Sequence, residues 1–453
     1  MTNHNNAWSP MVSIIGDKSV KSATHTSFAV ATHPQSEPCS SCKAALFCAP
    51  RLRVNMIYHV LPEVEPLSAS LGGALAHTVA NLLKLDSSRV GVCPRSDASW
   101  GIPETQALVI PAMSIYGRIR GRRHVPYWVL APVVRGIFRD LLSRLQPGDI
   151  VWIHNRPAFA ASLSGPAHSK GAKLVYHFHD GVDPRHARRC FLAVQPDCTI
   201  FVSDFLRRFW MRHIPTLKNT HVVHNGADPA QFFESDLGSS DSGKIPVIMF
   251  VGRLDPLKGV HVLIEAVRVL NTRGTKVICR VVGSSFSGGS KQTPYMKELA
   301  RHCPENVEFL GHCATNELGR HYRDADMLCC PSIWEEPFGK VNIEAMACGL
   351  PVVASRVGGI PEIAAYGGVQ LVEPGVVPEL ADALQKLIES PSLRNKMSCE
   401  ASASFQKHFT WNVALNLYRT IAASLFEPIQ QQRVGDSNES CNCASVVSGV
   451  GRV

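Results

Sequence analysis

Apolar and polar positions along the chain follow two periods. Short runs rich in Val, Ile and Phe are separated by longer stretches whose apolar residues recur at helical spacing. In a first series, RVNMIYHVL, RVGVCP, QALVIPA, DIVWIHN, KLVYHFHD, CTIFVSD and HVVHNGAD read as strands. GGALAHTVANLLKL and WVLAPVVRGIFRDLLSRL read as helices among them. A second series opens at IPVIMFVGRL and runs through KVICRVVGSS, VEFLGHC, DMLCCPS and PVVAS, with helices between. Near-continuous apolar strands alternating with helices fit a parallel sheet covered on both faces. Two such series predict an α/β fold of two doubly wound, Rossmann-like domains. Ligands bind beyond the carboxyl ends of such strands, so two facing domains place a cleft between them.

The flanks break this pattern. Residues 1–52 are rich in Ser, Thr, His and Pro without sustained periodicity and read as a disordered extension. The domains are expected over 53–240 and 245–412, with the break at the polar stretch FFESDLGSSDSGKIP. A helix over 413–428 is expected to pack back toward the first domain, and 429–453 reads as a loose tail. A chain of 453 residues is too long for one compact core, in keeping with two domains.

Composition narrows the class. Apolar residues make up 45% and charged residues 18%, enough to bury a sizeable core. No apolar run is long enough to span a bilayer, and the N-terminus lacks the basic and apolar segments of a signal peptide. Most of the 15 cysteines sit singly in apolar runs (Cys190, Cys279, Cys329, Cys330, Cys348), as in a reduced cytoplasmic protein. Cys39, Cys42 and Cys48 have metal-like spacing but no fourth ligand at a usual distance. The net charge of +9 favours an anionic partner. Nucleic acid is disfavoured, because no reader motif accompanies the charge. The runs YGRIRGRRHVPYW and SDFLRRFWMRH mix basic and aromatic residues. Arg118, Arg120, Arg122 and Arg123 in the first suit a peripheral contact at the inner face of a membrane; a solvated loop and surface helix are the plainer reading.

The stretch WEEPFGKVNIEAMACGLPVVAS carries candidate chemistry. Glu336 precedes a proline, which disfavours α conformation, so it is expected at the start of a helix whose first position is Pro337. Gly349 and Pro351 end that helix. Its apolar composition predicts burial, and a buried Glu344 needs a partner; Lys340, one turn earlier, is the nearest. Two carboxylates eight residues apart on one helix lie roughly 12 Å apart along the axis and about 80° off a common face. A glycosidase pair needs about 5–9.5 Å, so a hydrolase fits poorly. A long ligand lying across the helix N-terminus fits better. The amides of Phe338, Gly339 and Lys340 and the positive end of the dipole then hold an anion between the two carboxylates. In FVGRLDPLKGVHVLIEA, a strand ends at Gly252 and two cations, Arg253 and Lys258, flank an Asp-Pro turn. Such a pair suits a diphosphate.

Together, EEPFGKVNIEAMACGLPVVASRVGGIPEI, FVGRLDPLKG, VVHNGADPAQF, VEFLGHCATNEL and YRDADMLCCPS resemble glycosyltransferase family 4. These are retaining, nucleotide-sugar-dependent enzymes of GT-B architecture. The resemblance spans about residues 53–428, specific in the second domain and looser in the first. It implies an acceptor domain followed by a donor domain. It implies that Glu336 touches the donor sugar and Glu344 the ribose, and that amides near Phe338, Gly339, Lys340 and Val341 hold sugar and phosphate. It gives the diphosphate to Arg253 and Lys258, and places Gly252 beside them. Gly311, His312 and Cys313 are placed by the base, Gly72 and Gly73 in a loop that closes on the phosphates, and His179 by the sugar and acceptor. His177 is the rival to His179. Ser284 stands where the family commonly has Gly-x-Gly.

The implied reaction is retaining transfer of a hexose-type sugar to a glycan or lipid-linked acceptor of a cell-surface polysaccharide or lipopolysaccharide. It needs no cofactor and no metal, since leaving-group charge is met by placed cations and a helix N-terminus. Asp324 and Asp326 could pass for a metal-binding Asp-x-Asp, but they precede an apolar strand as an ordinary helix–strand junction. A dehydrogenase is excluded because GGALAHTVANLL lacks the Gly-x-Gly-x-x-Gly spacing. A phosphorylase is excluded for want of a pyridoxal lysine context. The alternative is a sugar-nucleotide-binding or scaffold protein of the same fold without catalysis. Four retained polar residues, Glu336, Glu344, Arg253 and Lys258, argue against it.

Overall fold

The computed structural model describes residues 54–68, 73–120, 127–181, 184–228, 244–285, 292–313 and 315–426. Two parallel sheets organise them. The first contains β1 (Ile57–Val60), β2 (Arg89–Cys93), β3 (Ala107–Val109), β4 (Ile150–His154), β5 (Lys173–Phe178), β6 (Cys198–Phe201) and β7 (Thr220–Val222), in the order β3-β2-β1-β4-β5-β6-β7. The second contains β8 (Val247–Val251), β9 (Ile278–Val282), β10 (Val307–Gly311), β11 (Met327–Cys330), β12 (Val352–Ser355) and β13 (Val369–Val372), in the order β10-β9-β8-β11-β12-β13. Each order reverses once, between β1 and β4 and between β8 and β11. These are the points where a doubly wound sheet opens a crevice for a ligand.

Burial explains why these segments are strands. The residues of β1, β2, β4, β6, β11 and β12 are buried throughout, because helices cover both faces. The helix Trp411–Ser424 begins where Thr410 accepts a hydrogen bond from Val413 N–H. Its Trp411, Leu415 and Tyr418 pack with Ile57, Trp152 and Val175 beneath the first sheet, so the chain returns to its first domain. Among the described cysteines, Cys190, Cys279, Cys329, Cys330 and Cys348 are buried free thiols. The Cys39, Cys42 and Cys48 cluster, the 232–243 linker and the 429–453 tail lie outside the described residues.

The structure corrects several sequence expectations. The single helix expected over 128–145 is two, Tyr127–Ile137 and Arg139–Arg144, divided at Phe138. Pro132 lies inside the first and lacks an N–H for the helical ladder. Strand β13 was not anticipated, because three of its four residues are only half-buried. The helix Asp204–His213 keeps Trp210 fully buried, while Arg207 and Arg208 pair with Asp204. It therefore offers no tryptophan to a membrane. Asp326 accepts from Val247 N–H at 2.8 Å, tying β11 to β8 as a junction residue.

Candidate active site

The first cluster grows from the reversal point of the second sheet. The turn after β8 carries Arg253 and Lys258, and the loop after β11 carries Glu336. Because β8 and β11 are neighbours, side chains 78 residues apart meet: Lys258 Nζ donates to Glu336 Oε1. The same oxygen accepts from Ser332 Oγ and Trp334 Nε1, both at 2.8 Å. Lys258 Nζ also lies 5.1 Å from the centre of the Trp334 ring. The Glu336 side chain is only 8% exposed, and a buried carboxylate persists when donors surround it. All three donors converge on Oε1. Oε2 accepts no hydrogen bond from the described residues.

The helix behind this loop is Lys340–Ala347, three residues shorter at its start than expected from Pro337. Gly339 has φ +90°, a left-handed conformation that cannot belong to the helix, and it caps it instead. Glu336 therefore stands in the loop, and only Glu344 is on the helix. The measurement of their separation along one helix does not hold, although the amides between them do surround its N-terminus. Asn342 N–H already donates to Gly339 O at 3.0 Å, so the amides of Lys340 and Val341, which have no helical acceptor one turn back, form the anion-favouring end. The Phe338 side chain is buried beside His224, with ring centres 5.4 Å apart, so its backbone is what it presents. Val341 is half-buried. Glu344 accepts from the buried Tyr322 hydroxyl at 3.1 Å, and Lys340 Nζ is 4.0 Å from its other oxygen. Burial first, and then the Glu344 charge, push the Tyr322 phenol well up, so it stays a donor.

The neighbouring strand ends place the remaining donor-side residues in a row. Gly252 N–H is committed to Val282 O at 3.0 Å. Ser284 Oγ donates to Ser285 O at 3.3 Å. Gly311 O accepts from Gly283 N–H at 2.8 Å, and His312 is exposed beside the half-buried Cys313. These groups lie at the ends of β8, β9 and β10.

The first domain contributes its own switch point. His154 ends β4, and His177 lies in β5 two residues before His179. His177 is buried, with Trp152 Nε1 donating to its Nδ1 at 3.4 Å. His179 is half-buried at the strand end. Asn155 holds it in place by accepting from His179 N–H at 2.8 Å and donating to Asp180 at 2.7 Å. Asn155 itself has φ +51°, a left-handed conformation that Asn tolerates better than most residues. Lys340, from the second domain, faces this group. Its charge helps to lower the His179 imidazole, behind burial and the neighbouring His177 and His154. Gly72 lies outside the described residues. The amide of Gly73, expected to face phosphates, instead donates to Glu65 Oε2 at 2.8 Å. An internal carboxylate therefore occupies that position at the start of the helix Ala74–Leu85.

A seam joins the two halves beside this site. Glu362 accepts from Asp204 N–H at 2.8 Å and Phe205 N–H at 2.6 Å, the first amides of the helix Asp204–His213, and lies 3.3 Å from His224 Nε2. Ser203 caps that helix and donates to Pro337 O at 2.5 Å. Gly359 N–H donates to Glu336 O at 2.8 Å. A cavity of about 670 Å³ opens along the seam, lined by Asp204, Arg207, His224, Glu362 and Tyr366 among others. Among the described residues, none of the anticipated site residues lines it, and it shows no convergent set of donors comparable to the Lys258–Glu336 group.

Sequence reasoning missed Ser332, Trp334, Tyr322, Asn155 and Glu362. Trp334 and Ser332 could have been found as polar-capable residues within four positions of Glu336 on the same loop. Glu362 could have been found as the acidic residue after the glycine pair of RVGGIPEI. Tyr322 and Asn155 gave no local signal.

Comparison with known proteins agrees with this architecture. The family model described as Glycosyltransferase Family 4 matches residues 88–231, and the one described as Glycosyl transferases group 1 matches 235–403. A D-inositol 3-phosphate glycosyltransferase of Corynebacterium jeikeium is 32% identical over 308 residues, 64% of this chain and 69% of its own length. Spore coat protein SA of Bacillus subtilis is 26% identical over 59% of this chain and 77% of its own length. Among solved structures, Anabaena HepE in complex with UDP and glucose superposes with a TM-score of 0.62 at 20% identity, covering 81% of this chain and 99% of that one. The apo lipopolysaccharide outer core galactosyltransferase WaaB gives 0.58 at 16%, covering 82% and 99%. The two structures speak to the fold, which is GT-B, and the sequence matches speak to the lineage: the chain belongs to the family 4 glycosyltransferases.

Proposed function

We propose that this glycosyltransferase moves a hexose-type sugar, with retention of configuration and without a metal, from a nucleoside-diphosphate sugar to a glycan or lipid-linked acceptor. The observation that carries the reading is the Lys258–Glu336 pair at the β8/β11 reversal, beside the N-terminus of the helix Lys340–Ala347. Arg253, Lys258 and the first-turn amides hold the diphosphate. Glu336 presents Oε2 to sugar hydroxyls while Oε1 is anchored, and Glu344, steadied by Tyr322, takes the ribose. As the bond from the anomeric carbon to the phosphate oxygen breaks, negative charge gathers on the leaving diphosphate. Cations and a helix end already in place stabilise that charge. The acceptor oxygen bonds to the same face of the anomeric carbon, and its proton passes to the departing phosphate oxygen. No enzymic nucleophile is needed. Metal-free catalysis is part of the proposal, as is the absence of any resident cofactor.

The acceptor side is read from the surface of the first domain. Trp128 is 67% exposed and Val129 and Val133 are 45% and 43% exposed on one helix. That helix follows the segment carrying Arg118, Arg120, Arg122 and Arg123. Apolar side chains next to arginines support peripheral contact with an anionic membrane surface and a lipid-linked acceptor in the cytoplasm, in cell-surface polysaccharide or lipopolysaccharide synthesis. No helix among the described residues is long and apolar enough to cross a membrane.

A thermal-shift panel of UDP-, GDP- and ADP-sugars tests the donor. UDP-glucose is included because HepE has been solved with UDP and glucose, and inositol phosphate joins the acceptor set because of the corynebacterial relative. Stabilisation by one nucleotide sugar, followed by its transfer or hydrolysis in the presence of a chelator, is the expected result. No shift with any of them would overturn the reading.

A further inference from the structure

Arg89 is fully buried in β2. Its Nε pairs with Asp86 at 3.1 Å, and its Nη1 lies 2.8 Å from His59 Nε2. From there the contacts continue in single file. His59 Nδ1 is 3.0 Å from His154 Nε2, and His154 Nδ1 is 2.9 Å from His179 Nε2. The series crosses adjacent strands β2, β1 and β4 and ends just past β5 at the cleft.

A guanidinium can only donate hydrogen bonds. His59 Nε2 must therefore accept, and the single proton of a neutral His59 sits on Nδ1. That proton can only point to His154 Nε2, which must accept in turn. His154 then carries its proton on Nδ1 and donates to His179 Nε2. We propose that Arg89, through His59 and His154, fixes His179 as the Nδ1–H tautomer, so that His179 meets the cleft as a hydrogen-bond donor and not as a base. Arg89, His59 and His154 are positioning residues in this scheme. Among the described residues, His179 Nδ1 has no hydrogen-bond partner.

Charging any of the three would place two donors against each other. Burial acts in the same direction. Desolvation first, and the Arg89 charge second, hold His59 and His154 below the ordinary imidazole value, His154 at about 3. Burial, then the neighbouring His177 and His154, then Lys340, lower His179.

The same cluster could be taken for a metal site. His154, His177 and His179 bring ligand atoms within 4.8 Å of one another, and His177 Nε2 is buried with no hydrogen-bond partner among the described residues. A metal would need the lone pair of His154 Nδ1. The proton would have to move to His154 Nε2, and His59 would have to turn its own proton toward Arg89. Two donors would then face each other across 2.8 Å in a buried site. The arginine at the far end of the chain thus opposes metal capture at the near end.

The inference rests on the cleft being the transfer site for what His179 touches, but its test does not. In the full chain with ¹⁵N-labelled histidine, long-range ¹H–¹⁵N correlations report which ring nitrogen carries the proton. Wild type is expected to show Nδ1–H at His59, His154 and His179. Arg89→Leu is expected to lose that pattern at His179, and Arg89→Lys, which keeps a donor, to retain it. Should Arg89→Leu not fold, His59→Leu breaks the same chain and is expected to lose it likewise. A proton on Nε2 of His179 in wild type overturns the proposal without recourse to any variant. So does an unchanged His179 in a folded chain-breaking variant, or stoichiometric zinc binding, added as the metal alone, that shifts all three cluster histidines.

Discussion

Replacing Glu362 by alanine removes one carboxylate that bridges the two sheets of the enzyme. The side chain is 19% exposed and accepts from two helix N-terminal amides, at 2.8 and 2.6 Å, with His224 Nε2 at 3.3 Å. Hydrogen bonds to a charged group contribute about 1.5–3 kcal/mol each, but they share one carboxylate and water can reach the freed amides. A loss of about 2–4 kcal/mol follows. Glu362→Gln keeps an acceptor for one amide and loses the charge, for about 1–2 kcal/mol. Burial works against ionisation of Glu362, but the bonds from His224 and the Asp204 and Phe205 amides outweigh it and hold the carboxyl below its ordinary value of 4.5. A folded-state value below the unfolded one means stability that is full above the unfolded value and is lost as pH falls through the folded one. The gap between wild type and Glu362→Gln should therefore narrow below about pH 4.5. Urea unfolding from pH 7 to pH 3.5, with amide exchange at Asp204 and Phe205, measures it. An alanine variant within about 0.5 kcal/mol of wild type, with those amides still protected, would refute the bridging role.

Two other substitutions test the site. Lys258→Ala is expected to abolish transfer with a modest effect on stability. Glu336→Ala should abolish transfer and also cost about 3–5 kcal/mol, because it leaves the Lys258 charge, a hydroxyl and an indole N–H without their acceptor. Wild-type turnover in both would sink the assignment, and an unchanged unfolding midpoint for Glu336→Ala would contradict the geometry. Gly358→Ala would set a Cβ 2.0 Å from Glu336 O at φ +56°. A stability loss above about 3 kcal/mol, with the loop 334–339 losing exchange protection, is expected, and a neutral substitution would show the close approach to be wrong.

The architecture was largely legible in the sequence because parallel strands buried on both faces leave long apolar runs. Where burial was partial the signal failed, as at β13, whose Val369, Gln370 and Leu371 are only half-buried. The Lys258–Glu336 group was approachable because both residues flank strand ends, where the local pattern already implies a crevice. The start of the following helix was not, since nothing in the sequence says that Gly339 adopts φ +90°. Gly73 illustrates a different kind of gap. The resemblance points to a glycine loop there, and the partner its amide takes, Glu65, is set by how the preceding segment folds. Arg89, His59 and His154 stand in three strands far apart in the sequence and carry no local signal. Only the strand order brings them into line.

The bond from Ser203 to Pro337 has a mechanical meaning. It lies one residue from Glu336, and Gly359 fastens the Glu336 carbonyl from the other side. A rotation of the two halves about this seam leaves the Glu336 carboxylate next to the fulcrum, where it moves little. Gly73 and its Glu65 latch are carried by the other half. In one such rotation, groups away from the seam sweep further than the Glu336 loop, so distance from the pivot alone separates what holds still from what moves.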